Sequence, residues 1–73
     1  MQVYLFAGAT AAVVRAINAF CYGLPSSARV ERVDWLTPEQ AVVAVRAENP
    51  APLLWERLKD MYEKAKRQAE IDA

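Results

Sequence analysis

The chain has 73 residues, with nine Lys and Arg against nine Asp and Glu, no His and one Cys, so its formal net charge is zero. Hydrophobic residues make up 55 % of it and charged residues 25 %. This excludes a disordered tail, which needs little apolar content and a high net charge, a disulfide scaffold, and nearly every zinc, haem and Cys–His site, leaving one small globular domain.

Residues 3–7 read as a strand of β-branched and aromatic residues, with Gly8 as the breaker. Val3, Leu5 and Ala7 point one way, Tyr4 and Phe6 the other. Both faces are apolar, which suits an inner strand or an edge strand whose outer face is covered by something else. Thr10 is the expected N-cap of a helix over 11–22, Gly23 its left-handed C′ residue and Pro25 the stop. Val13, Ile17, Phe20 and Leu24 recur at helical spacing, flanked by Val14 and Cys21, and form its core face. The opposite face holds Ala12, Arg15, Asn18, Ala19 and Tyr22, with less charge than a solvated face carries. Arg and Tyr among small residues are what an interface uses.

Residues 29–36 and 41–47 read as two more strands joined through Thr37-Pro38-Glu39-Gln40 as a hairpin. The second of these alternates, with Ala41, Val43, Val45 and Ala47 on one face and Val42, Ala44 and Arg46 on the other. The first is charged, and Val30 is out of phase with Val33 and Trp35. A bulge near Glu31-Arg32 reconciles the phases, and a charged, bulged strand belongs at an edge. The competing reading takes Thr37 to Gln40 as a capping box and 38–48 as a helix. The β-branched Val42, Val43 and Val45 favour the strand.

Asn49-Pro50-Ala51-Pro52 opens a last helix over 53–70, with Leu54, Leu58, Met61 and Ala65 as its stripe, widened by Trp55 and Tyr62. Asp60–Lys64 and Glu63–Arg67 are acid-first pairs at i,i+4 on its outside. Past Ala65 the stripe weakens to Ala69 and Ile71. Eighteen residues span about 27 Å at 1.5 Å each, so the end, about 66–73, is expected to fray, overhang or dock elsewhere. The fold class is α+β, a β-α-β-β-α order with a small three-stranded sheet and two helices on one face. The apolar third strand takes the middle. The other face, carrying Tyr4 and Phe6 with Val42 and Ala44, then lacks a cover.

Below roughly 70–80 residues, a single core rarely supplies more than a few kcal/mol without a staple, and with no disulfide or metal the readiest staple is association. The first 28 residues carry one charge, Arg15, a pattern that can be mistaken for a signal or a membrane span. No basic residue precedes the apolar run, however. Arg15 mid-span costs about 2.5–3.5 kcal/mol on insertion scales, and Gly8, Thr10 and Asn18 interrupt the run. The expectation is a cytoplasmic protein without a membrane segment, in keeping with its single unpaired Cys.

Candidate chemistry is sparse. Gly8-Ala9-Thr10 lacks the glycines and Lys of a phosphate loop and reads as a turn. Cys21 has no basic neighbour in its turn to lower its pKa and reads as a small core residue. Ser26 and Ser27 have no His to activate them. Acids stand mostly beside bases, as solvated pairs. No catalytic, metal or cofactor residue is assigned. Tyr4, Phe6, Arg15, Asn18, Tyr22, Trp35 and Trp55 are the candidate protein-interface residues, and for the two Trp a core role is the stronger reading.

The β-α-β-β order is shared with tautomerases that use an N-terminal proline, but Gln2 follows Met1. It is also shared with metal-carrying and amino-acid-binding domains, but the CxxC and the final strand are absent. The expectation is therefore a non-enzymatic interaction module, an inhibitor, adaptor or assembly factor that sterically occupies a protein partner and forms homodimers. In size and style alone it resembles the small host-directed inhibitors of bacteriophages, anti-CRISPR proteins among them. One alternative is a nucleic-acid binder using Arg29, Arg32 and Arg46, disfavoured by the interleaved acids and a pI near 6.2. The other is a small oligomeric ligand-binding or enzymatic subunit.

Overall fold

The computed structural model describes residues 1–72. Among them the chain runs β1 (Gln2–Ala7), α1 (Thr10–Tyr22), β2 (Ala28–Thr37), β3 (Gln40–Ala47) and α2 (Leu54–Asp72), the expected α+β order. The sheet order is β1-β3-β2, and both outer strands are antiparallel to β3. β1 and β2 therefore run parallel to one another with β3 between them, and α1 makes the crossover.

Residues 40–47 form a strand because their alternation matches a half-covered sheet. Ala41, Val43 and Val45 are fully buried, while Val42 and Ala44 on the reverse side are only half-buried. Pro38 and Glu39 make the turn between the paired Thr37 and Gln40, where the Glu39 N–H donates to Thr37 Oγ1 at 3.1 Å. The register steps from Val30–Val45 to Arg32–Ala44, which leaves Glu31 unmatched as the expected bulge. A second irregularity falls between Trp35 and Thr37, at Leu36, and the sequence pattern did not announce it.

Both helices lie on one face of the sheet. A single core joins Phe6 and Val43 of the sheet, Val13 and Phe20 of α1, and Leu54 and Leu58 of α2. Its centre is aromatic. The Tyr4 and Phe20 rings lie 4.9 Å apart, Tyr4 and Tyr62 5.1 Å, and Phe6 and Tyr62 5.0 Å with an edge-on ring.

This corrects the expected orientation of β1. Tyr4 is 8 % exposed and Phe6 1 %, so they face the helices, and Val3, Leu5 and Ala7 take the uncovered side. Alternation alone allows either side of β1 to face inward. An aromatic ring, however, removes 150–250 Å² from water, more than Val or Leu. The space beneath α1 and α2 takes the rings.

Three local expectations are also revised. Thr10 is not the cap of α1. Ala9 holds the cap position without a side-chain bond, and the Thr10 hydroxyl donates to the Pro38 carbonyl at 2.6 Å, pinning the helix start to the hairpin turn. Gly23 is not left-handed, with φ −85° and ψ −1°. A Cβ there would stand 3.1 Å from Met61 Cε, the mobile tip of a side chain that needs to give only slightly. Finally, α2 stays packed as far as the buried Ala69, further than its fading stripe predicts. The Ile71 side chain and Ala73 lie outside the described residues.

Candidate protein-interaction surface

The face of the sheet turned away from the helices is built in rows by the strand register. One row is Val3, Ala44 and Arg32, and the next is Leu5, Val42 and Asp34. An aliphatic strip over β1 and β3 therefore runs beside a charged margin on β2. Val3 is 60 % exposed and Leu5 45 %.

The charges of the margin are largely matched. Arg32 Nε donates to Asp34 Oδ2 at 2.7 Å, and Arg46 Nε lies 3.6 Å from Glu31 Oε2. Exposed pairs of this kind add little stability, but they cancel the basic field of the hairpin. Of the three arginines considered for nucleic acid, Arg29 has no acid at ion-pair distance among the described residues and lies directly across from Arg46. On α2 the pairs Asp60–Lys64 and Glu63–Arg67 do not close to ion-pair distance among the described residues.

The residues singled out from sequence do not converge on one surface. Tyr4 and Phe6 are core and cannot line an interface. Arg15, Asn18 and Tyr22 share the solvent side of α1, with Tyr22 95 % exposed. Ala12 and Ala19 of that expected face turn toward α2 instead. Ala19 borders a groove with Met61 and Lys64, and Ala12 borders one with Lys66 and Ala69. Trp55 is half-buried against the core beside Tyr4. Trp35 is 46 % exposed on β2. Val3 and Leu5 were missed. The signal was present in the alternation of β1, but it needed the rings to be assigned inward first.

The remaining groups offer little chemistry. Cys21 is half-buried, and burial pushes its thiol above the ordinary value, away from the reactive thiolate. Burial likewise raises the Tyr4 phenol. Gly8, at φ +140°, is in a region that glycine alone enters freely. Its N–H donates to the Glu39 carbonyl at 3.0 Å, so this donor of the turn is already engaged. Ser26 and Ser27 border a shallow cleft with Arg29, Arg46 and Glu48, and no lysine lines it. Among the described residues no three Cys, Asp or Glu side chains gather as a metal site, and no helix is long and apolar enough to cross a membrane. No protein-family model, curated protein or solved structure matches the chain.

Proposed function

We propose that this chain is a small non-enzymatic interaction module that sterically occupies the surface of a protein partner, with the uncovered sheet face as its contact. The observation that carries this is the exposure of Val3 and Leu5 beside Val42 and Ala44, on a face that neither helix covers. An apolar centre with a polar margin is the anatomy of a protein interface. Inhibition, adaptor work or assembly by occlusion requires no reactive group, and it suits the phage-type inhibitors that the chain resembles in size. The reading places the protein in the cytoplasm, with the Cys21 thiol reduced. A nucleic-acid role is less well supported. The open strip is aliphatic and offers no ring for base stacking, and two of the three hairpin arginines are matched by acids.

The test uses tagged wild type and a Val3→Ser/Leu5→Ser double variant in parallel pulls from bacterial lysate, followed by reconstitution with the purified partner. The reading requires a protein retained by wild type, lost from the folded variant, and bound directly in the reconstitution. Equal retention by both would remove the sheet face from consideration. A gel shift that survives moderate salt would favour the nucleic-acid alternative.

A further inference from the structure

The two edges of the sheet are finished differently. On β1 the Tyr62 hydroxyl of α2 donates to the outward-facing Leu5 carbonyl, so a side chain occupies the middle of that edge. On β2 no strand or helix takes the edge among the described residues, since β2 pairs only with β3. The phase of the ladder shows which β2 groups are free. The Gly8–Glu39 bond continues the β1–β3 ladder. Residues 39, 41, 43 and 45 therefore bond toward β1, and 40, 42 and 44 toward β2. Arg32 and Asp34, opposite Ala44 and Val42, spend their backbone groups on β3. Val33 and Trp35 turn theirs outward. Their side chains share the helix face of the sheet, opposite Val43 and Ala41, yet Val33 is 42 % and Trp35 46 % exposed because the two helices stop short of them.

We propose that β2 pairs with β2 of a second copy about a two-fold axis at Val33, joining the two sheets into one of six strands. The charge pattern selects this partner and this register. Antiparallel pairing centred on Val33 sets Arg32 of each copy opposite Asp34 of the other, so that the two within-chain Arg32–Asp34 pairs meet as an alternating cluster of four charges on the open face, and it stacks the two Val33 side chains on the helix face. Sliding by two residues either way places Asp34 against Asp34 or Arg32 against Arg32, which is unfavourable. Sliding by one turns the side chains to opposite faces. The irregularities at Glu31 and Leu36 confine regular pairing to the short segment between them. The two-fold contact uses up the β2 edge of both copies, and Tyr62 occupies the middle of each β1 edge, so assembly ends at two copies rather than growing as a fibre. This contact uses a different surface from the aliphatic strip and leaves that strip open on both copies.

Light scattering over a concentration series tests the proposal. Wild type is expected to pass from monomer to dimer with no larger species. Asp34→Arg and Arg32→Asp, each alone, place like charges opposite one another twice per dimer and weaken dimerisation by roughly ten-fold or more. Mixing these two variants restores a dimer containing one of each, and the double swap Arg32→Asp/Asp34→Arg restores it within one chain. Circular dichroism identifies a variant that fails to fold, and the double swap then carries the test. The proposal is overturned if wild type is monomeric at every concentration, if a single variant dimerises as tightly as wild type, or if neither the mixture nor the double swap recovers the dimer. Val3→Ser/Leu5→Ser is expected to dimerise as wild type does. A loss there would transfer self-association to the open face and sink the edge pairing, independently of whether a foreign partner binds.

Discussion

Leu5 and Phe6 are adjacent in the chain and both strongly apolar, yet Phe6 is 1 % exposed and Leu5 45 %. The difference lies in what stands over each side of β1. On the inner side Phe20 of α1 and Tyr62 of α2 close around Phe6 and Tyr4. On the outer side Leu5 stands beside Val42, with Asp34 one strand further on, and neither helix lies over that row among the described residues. With two helices for three strands, one face is a core and the other is a surface. Hydrophobicity along a strand thus reports that a side chain is suited to burial, and the helices decide whether the fold provides it.

The sharpest way to break this comparison is to truncate the inner side. Phe6→Ala is expected to cost about 3–5 kcal/mol, the usual range for a buried aromatic ring. Against a total of about 5–15 kcal/mol for natural domains, and toward its lower end for one this small, that leaves the chain largely unfolded in a urea titration followed by circular dichroism. Tyr62→Phe keeps the ring cluster and removes the bond to the Leu5 carbonyl. About 1 kcal/mol should be lost, read as a lower urea midpoint at unchanged slope. Thr10→Val removes the tie from α1 to the hairpin turn. A similar or smaller loss is expected, since that bond is exposed, with faster amide exchange at Thr37, Glu39 and Gln40 as its local signature. On the outer side Leu5→Ser should change stability by no more than about 0.5 kcal/mol. A cost matching that of Phe6→Ala would show that the face is covered after all.

The smallest effect is a pH dependence. Burial holds the Tyr4 phenol above its ordinary 10.0 and the Cys21 thiol above its ordinary 9.0. In both cases the folded state favours the neutral form. Their contribution is therefore fully present below the unfolded pKa and is lost as pH rises through the higher folded value. Thermal melts from pH 8 to 11 should show the melting temperature falling on the alkaline side. Tyr4→Phe should flatten the upper part of that fall, and Cys21→Ala the lower part. An unchanged slope in both variants would place the loss elsewhere.

Much of the architecture was legible. Element order, the central place of β3, the charged edge at β2 and the bulge at Glu31 all follow from periodicity and turn chemistry. The core face of α1 follows too, since Val13, Ile17 and Phe20 are buried as their spacing predicts. The candidate surface was legible only in outline. Val42 and Ala44 were expected on the open side and lie there. Arg15, Asn18 and Tyr22 were expected on the outer side of α1 and are exposed there. Tyr4 and Phe6 were assigned to the wrong side because β1 is apolar on both. Thr10 departs from its local pattern because its hydroxyl is taken by Pro38, far away in the chain, while Gly23 ends α1 with right-handed backbone, which residue type alone does not decide.

Local pattern therefore settled which segments become strands and helices and in what order they run, because the alternation of a strand and the spacing of a helix are written within a few neighbouring residues. Packing settled which side of β1 is hidden and which edge of the sheet receives a side chain from α2. Those outcomes depend on how far two helices reach across three strands, a matter of volume and distance between segments that no single segment encodes.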